Sequence, residues 1–103
     1  MTLTDLQERV RRAWTNATYS AAFNTSGIPH KDYAHALLHM VKATGKLAAI
    51  IDDLDHGKEI EDDPGKYVAD LVICAARFCD ASGLHLESIV ELRCAAKLPL
   101  PKE

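Results

Sequence analysis

The chain has 103 residues and a formal charge of −3 at neutral pH. This length predicts one domain, spanning residues 1–103, with a modest core to which burial in an oligomer would add. No run approaches the ~20 apolar residues of a membrane helix, and the first twelve residues lack the apolar segment of a secretory signal. We therefore predict a cytoplasmic protein that engages no membrane. The mildly acidic balance disfavours nucleic acid as a partner.

Three cysteines occur in the chain, an odd number without a C-x-x-C spacing. Such a set disfavours a disulfide framework or a zinc site. Each cysteine falls inside an apolar helical pattern, so we predict buried free thiols. The residues are Cys74, Cys79 and Cys94.

The first predicted helix spans residues 4–23. Thr4 with Gln7 three residues later has the spacing of a capping box. Apolar residues then alternate at three- and four-residue steps, which predicts a seam against another helix, formed by Leu3, Leu6, Val10, Ala13 and Ala17. The arginines near its start are interpreted as solvated charge and its aromatic residues as core or oligomer contacts rather than base-stacking groups. These are Arg9, Arg11, Arg12, Trp14, Tyr19 and Phe23.

The second predicted helix, residues 32–55, carries the longest apolar periodicity and is expected to be the central helix of the fold. The stop signal His56-Gly57 follows it. Its apolar arc, predicted to contact several neighbours, consists of Leu37, Leu38, Val41, Ala48 and Ile51, widened by Met40, Leu47, Ile50 and Leu54.

A polar row lies off that arc at offsets of four, three and four residues: His35, His39, Lys42 and Lys46. These offsets place all four side chains on one side of a helix, along roughly 16 Å. Two histidines at i and i+4 also have the spacing of a metal-binding pair, although solvated or hydrogen-bonded histidines are the more common reading.

The third predicted helix, residues 64–82, opens at Asp63-Pro64 and ends at Ser82-Gly83. The fourth, residues 86–98, ends before two prolines. No strand signal competes, so the predicted fold class is all-α, a bundle of four helices. The residues predicted to be buried are Val68, Leu71, Val72, Ala75, Phe78 and Cys79 in the third helix, and Leu86, Ile89, Val90 and Leu92 or Ala96 in the fourth.

Asp70 lies within the apolar run of the third helix. A lone carboxylate is costly to bury without a partner, so we expect a cation or water beside it.

The runs MVKATGKLAAIIDDL and KYVADLVICAARFCDASGLHLESIVELRCAAKL, joined by a charged loop, resemble the MazG-like all-α nucleoside triphosphate pyrophosphohydrolase superfamily over about residues 33–98. The similarity is strongest at Gly45-x-Leu47, at Ala69-Asp70-Leu71, at Gly83 to Glu87 and at Lys97-Leu98. The resemblance implies a four-helix MazG-like bundle. It also implies magnesium ions, held by a Glu-Glu-x-x-Glu and a Glu-x-x-Asp motif, that bind a triphosphate and activate water for the release of pyrophosphate.

The chain departs from this pattern where the metal would bind. The family glutamates fall on Lys42, Ala43, Lys46 and Tyr67, and only the aspartate survives, as Asp70. Because magnesium needs several hard oxygen ligands, the resemblance implies a degenerate site. A lysine ammonium near Asp70 would replace the charge of the metal, and Lys46 is the expected partner.

The leading hypothesis is a degenerate MazG-like protein that binds a nucleotide or another phosphorylated molecule without magnesium, as a homo-oligomeric dimer or tetramer. An active hydrolase with a transition metal on His35, His39 and Asp70, helped by Asp52 or Asp53, is the second reading. A structural interaction module with a vestigial cavity is the third. The predicted ligand-binding residues are His35, His39, Lys42, Lys46, Tyr67, Asp70, Arg93 and Lys97; the last two have the alternative role of complementing the helix dipole. No cofactor is favoured, and magnesium or a transition metal belongs only to the hydrolase reading.

Overall fold

The computed structural model describes residues 1–15 and 29–101, apart from the side chains at 15 and 29–31. These residues form four α-helices and no strand, which confirms the all-α prediction for this part of the chain. The helices are α1 (Leu3–Thr15), α2 (Pro29–Asp55), α3 (Pro64–Ser82) and α4 (Leu86–Lys97). The predicted end of the first helix near residue 23 lies outside the described residues, as do Ala17, Tyr19 and Phe23.

α3, rather than α2, is the central helix among the described residues. It packs against each of the other three helices, whereas α2 packs against α3 alone. The expectation of a central second helix was therefore wrong. Its long apolar periodicity suggested several neighbours, but most of that apolar arc faces away from the rest of the described chain.

The contact between α2 and α3 uses small residues. Ala36, Ala43 and Ile50 are the buried positions of α2, and they recur every seven residues, which keeps one narrow seam facing a neighbouring helix. At one end of this contact the ring of Tyr33 packs on that of Phe78, with centroids 5.3 Å apart. Small side chains let two helices approach closely, so the seam does not need the larger leucines beside it.

The start of α1 is capped by a pair other than the predicted one. The backbone N–H of Asp5 donates to the Thr2 hydroxyl over 3.0 Å, and the backbone N–H of Thr2 donates to the Asp5 carboxylate over 2.9 Å. This reciprocal arrangement is a capping box that begins two residues before the predicted Thr4 and Gln7 pair. Hydrogen bonds from the backbone N–H and then from the side-chain hydroxyl of Thr2 lower the pKa of Asp5.

Gln7 links α1 to the start of α4. Its side-chain N–H donates to the carbonyl of Leu84 and its side-chain oxygen accepts from the backbone N–H of Leu86, both over 2.8 Å. His85 occupies the N-cap position of α4 but provides no side-chain cap, so Gln7 satisfies one of the backbone N–H groups that a helix start leaves unpaired. Gln7 is only 4% exposed, which makes these two bonds costly to lose.

A small core joins α1, α3 and α4. Its buried members are Leu6, Val10, Ala76, Cys79 and Leu86, with Leu3 and Trp14 packed against it. The predicted seam of α1 is confirmed at Leu6 and Val10.

The end of α2 and both ends of α3 follow the predicted signals, whereas α2 begins at Pro29 rather than at residue 32. The Asp63 side chain accepts from the backbone N–H of Gly65 over 2.9 Å, and Pro64 opens α3. Gly83 stops α3 with φ of 78°, and Gly57, with φ of 69°, follows the end of α2. Glycine adopts these left-handed angles without the steric cost of a side chain.

Many apolar side chains predicted to be buried are exposed. In α2, Leu38 is 66% and Val41 61% exposed, and in α4 Leu92 is 73% exposed. The helical periodicity identified the apolar faces correctly. The described helices, however, cover only one side of α2 and one side of α4, and the remaining apolar side chains stay exposed. The predicted core residues found exposed are Leu37, Leu38, Val41, Ala48, Ile51 and Leu54 in α2, Val68 and Val72 in α3, and Ile89, Val90, Leu92 and Ala96 in α4.

The cysteines are free thiols, as predicted, but they are not uniformly buried. Cys79 is buried and Cys74 half-buried, and burial raises the pKa of both thiols. Cys94 is exposed, so the prediction of burial was wrong there, because the part of α4 that carries it packs on no described helix face.

Within residues 1–15 and 29–101, none of the four helices is both long enough and apolar enough to cross a membrane.

Candidate functional site

A cavity of about 890 Å³ lies between α1, α2 and α3. α1 and α2 both pack on α3 but not on each other, which leaves a cleft between them. Side chains from all three helices line it: Arg9, Arg12, Ala13 and Trp14 from α1, His35, Ala36, His39, Lys42, Ala43 and Lys46 from α2, and Tyr67, Asp70, Ile73, Cys74 and Arg77 from α3.

The predicted polar row of α2 forms one wall of this cavity. His35, His39, Lys42 and Lys46 all line it, so the inference from their spacing that they share one side of the helix is confirmed. The buried seam of α2 runs beside this row, and packing of the seam on α3 turns the row toward α1.

Six of the eight predicted ligand-binding residues meet in the cavity, since Tyr67 and Asp70 join the row from α3. Arg93 and Lys97 do not. They lie exposed on α4, which packs against α1 and α3 but not against α2, so the structure does not bring them to this cavity. Their alternative role, complementing the dipole at the end of α4, suits Lys97 in the last turn.

The two histidines contact each other. Their Nε2 atoms lie 3.0 Å apart, and their rings meet edge to face with centroids at 4.5 Å. A hydrogen bond at this distance needs one Nε2 to carry a proton and the other to accept it. The pair therefore holds both rings in fixed orientations at the cavity wall.

Within the described residues, no group of three histidine, cysteine, aspartate or glutamate side chains converges closely enough to hold a metal ion. His35, His39 and Asp70 line the same cavity, yet they do not form such a group. Asp52 and Asp53, suggested as helpers, lie near the end of α2 and do not line it.

Asp70 is exposed to solvent at the cavity. No ion pair of the described side chains includes it, so the expected pairing with Lys46 is absent from them. The expectation rested on burial among apolar neighbours. Val68 and Val72, on the same helix, are themselves exposed, so the Asp70 carboxylate is not desolvated and does not require a cation.

Tyr67 and Lys46 instead face a different carboxylate. The Tyr67 hydroxyl donates to Asp62 over 2.8 Å, and Lys66 donates to the same carboxylate over 3.4 Å. These hydrogen bonds lower the pKa of Asp62, and the positive charges of Lys66 and Lys46 add to the effect. The bond to Asp62 in turn raises the pKa of Tyr67. Tyr67 is thus held at the cavity in its neutral, hydrogen-bonded form.

Arg77 is a cavity residue that the sequence did not single out. It is buried, with its guanidinium 3.5 Å from Asp32 and 3.8 Å from Asp80, and it lies over the ring of Trp14 at 5.3 Å. A buried guanidinium requires such partners, so the residue joins α1, α2 and α3 behind the cavity. The available signal was a lone arginine inside the apolar run ICAARFC.

The arginines of α1 were noticed but interpreted as solvated charge. Arg11 fits that interpretation in part, because it pairs with Glu8 at 3.1 Å and with Asp80 at 2.7 Å. Arg9 and Arg12 line the cavity instead. Their three-residue spacing places them on one face of α1. Ala13 and Trp14 line the same cavity, and these apolar neighbours in the sequence could have indicated that this face lies toward other helices.

The described lining carries five arginine and lysine side chains and one carboxylate. Arg12 pairs with Glu8 and Arg77 with Asp32 and Asp80, whereas Arg9, Lys42 and Lys46 form no ion pair with any described carboxylate. The cavity thus combines three such cations with apolar lining residues such as Trp14 and Ile73. This combination suits an anion attached to an apolar group.

The five positions at which the MazG-like resemblance places the metal-binding acids all line the cavity. They are Lys42, Ala43 and Lys46 on α2 and Tyr67 and Asp70 on α3. The two sets of positions, one on α2 and one on α3, thus meet at one cavity although a loop separates them in the sequence.

Comparison of the chain with protein-family models, with curated proteins and with solved structures gives no match. The resemblance to the MazG-like superfamily therefore stays a prediction.

Proposed function

We propose that this protein binds a small phosphorylated molecule, such as a nucleotide, directly through basic side chains and without magnesium. The observation that carries the proposal is the meeting of Arg9, Lys42 and Lys46 at one cavity, none of them in an ion pair with a described carboxylate. Phosphate oxygens accept charge-assisted hydrogen bonds from both ammonium and guanidinium groups. An anion bound here would neutralise the positive charges of Arg9, Lys42 and Lys46, which no ion pair within the described residues neutralises.

Magnesium is disfavoured by the same side chains. The ion takes hard oxygen ligands in octahedral geometry, and Asp70 is the one carboxylate of the described lining. Two ammonium groups on the opposite wall would repel a divalent cation. The proposed ligand is therefore held by protein cations in the place where a MazG-like hydrolase would use metal ions.

The proposal also places the chain in the MazG-like superfamily as a member whose metal-binding acids are replaced. The convergence of Lys42, Ala43, Lys46, Tyr67 and Asp70 on one cavity supports it, because unrelated helical matches have no reason to bring these five positions together. An all-α arrangement of the described residues is compatible with this placement.

A thermal-shift panel tests the proposal. Protein freed of metal by a chelating resin is melted with nucleoside mono-, di- and triphosphates, pyrophosphate and matched chloride. A ligand at a hundred times its dissociation constant stabilises the folded state by about 2.7 kcal/mol. We expect at least one phosphorylated compound to raise the melting temperature without added magnesium. A panel in which none does so, or in which stabilisation appears only with magnesium, would refute the proposal.

A second candidate function, assembly with copies of the same chain, is favoured by the exposed apolar faces. Leu37, Val41 and Ile51 lie on one side of α2 and are each at least half exposed, and an exposed apolar stripe of this kind marks an interaction site. We propose a dimer or tetramer that covers them. Sedimentation of Val41→Asp should then show a smaller species than the unmodified chain. Ile60→Asp, an exposed position in the charged segment between α2 and α3, is the control with the same added charge.

A further inference from the structure

A second, apolar groove of about 490 Å³ adjoins the basic cavity. It lies between α1 and α3. Its lining includes apolar residues that do not line the basic cavity: Leu6, Val10, Ala69 and Val72. Arg9 carries the one charged side chain of its described lining. A nucleobase presents hydrogen-bonding edges that would lose their water in such a groove without gaining partners, whereas an aliphatic chain would lose nothing polar.

The groove and the cavity share a boundary. Arg9, Ala13, Trp14 and Ile73 line both. A ligand anchored by its phosphate at Arg9 can therefore extend an attached chain across the Trp14 and Ile73 side chains into the groove. The charge of Arg9 at the junction complements the phosphate at one end, and the apolar walls complement the other end.

We infer that the ligand is an amphipathic organic phosphate, with its phosphate in the basic cavity and a single aliphatic chain in the groove. This inference rests on the proposed function, because it assigns the phosphate to the same basic side chains. Most of the protein's selectivity among phosphates then comes from the aliphatic chain of the ligand rather than from recognition of a nucleobase.

A homologous series of alkyl phosphates tests the inference. Binding of inorganic phosphate and of butyl, hexyl and octyl phosphate, each below its micelle concentration, is followed by calorimetry and by the emission of Trp14, the single tryptophan. A fully buried methylene adds about fourfold in affinity; for a partly open groove we expect about twofold, so octyl phosphate should bind about 16-fold more tightly than butyl phosphate. The longer chains should also shift the Trp14 emission to the blue.

Two valines one turn apart on α3 provide a matched pair of variants. Val72 lines the groove, whereas Val68 lines neither cavity, and both are exposed. Val72→Asn should flatten the dependence on chain length and leave the affinity for inorganic phosphate unchanged. Val68→Asn should change neither.

The outcomes separate this inference from the proposed function. If phosphate and all alkyl phosphates fail to bind, the proposed function itself fails. If they bind with equal affinity, phosphate binding stands and the assignment of the groove is overturned. The assignment is likewise overturned if Val72→Asn reduces the sedimenting mass and chain length has no effect, because a second copy of the chain then covers the groove.

Discussion

The Nε2 atoms of His35 and His39 lie 3.0 Å apart at the wall of the basic cavity. This contact needs one imidazole with its proton on Nε2 and a partner whose Nε2 is free to accept, which places the partner's proton on Nδ1. Nitrogen NMR at alkaline pH should therefore show one histidine of each tautomer in the pair. His39→Gln should change the tautomer balance of His35, while His56→Gln, beyond the end of α2, should not. Identical Nε2–H tautomers for both residues would contradict the described contact.

Gln7 is predicted to stabilise the fold through its two hydrogen bonds to the start of α4. Gln7→Met keeps the volume of the side chain but leaves the backbone N–H of Leu86 and the carbonyl of Leu84 without their partner. Leaving a buried polar group unpaired costs about 1–3 kcal/mol. Urea denaturation should show a loss of free energy of unfolding in that range. Glu91→Met, at an exposed position of α4, is the control and should leave the stability nearly unchanged. Equal stabilities for the two variants would argue against a capping role.

The hydroxyl of Tyr67 is predicted to control the titration of Asp62. Its hydrogen bond is the largest cause of the lowered pKa of this carboxyl, so Tyr67→Phe should raise that pKa toward the ordinary value. A folded-state pKa below the unfolded one means that the stabilisation is fully present above the unfolded value and is lost as the pH falls through the folded value. NMR titration of the Asp62 carboxyl measures the shift. Tyr33→Phe, on α2, is the matched control.

Asp70 is predicted to weaken anion binding, because it is the only acidic side chain of the described lining. Asp70→Asn should raise the affinity for pyrophosphate by about threefold, the effect of removing one unit charge several ångströms from the ligand in a solvated cavity. The gain should shrink as salt is added. Asp55→Asn, at the exposed end of α2, tests for a general effect of net charge. A loss of binding in Asp70→Asn would instead show that the carboxylate takes part in the site.

Much of the fold was predictable from local signals. The proline, glycine and aspartate residues at the ends of α2 and α3 act through backbone geometry that depends on few neighbours, and Asp63, Gly57 and Gly83 behave as expected. The spacing of the polar row also identified a real face of α2. Both inferences depend only on the periodicity and stereochemistry of one segment.

Predictions that depended on tertiary context failed more often. Periodicity shows that Leu38 and Val41 share a face but not what covers that face, and in α2 the small residues Ala36 and Ala43 form the contact with α3 instead. Gln7 caps Leu86, which lies 79 residues away in the sequence, so no local pattern could predict this role. The positions of Arg9 and Arg77 at the cavity likewise follow from the packing of α1 and α2 on either side of α3.

Calorimetric titration of pyrophosphate into metal-free protein shows whether the basic cavity holds an anion. We expect saturable binding that Lys42→Met weakens at least tenfold, since this substitution removes a charge-assisted contact of about 1.5–3 kcal/mol. Lys97→Met removes the same charge from α4, away from the cavity, and should bind like the unmodified protein. Absence of binding, or equal weakening by the two substitutions, would contradict the claim that the cavity between α1, α2 and α3 holds the anion.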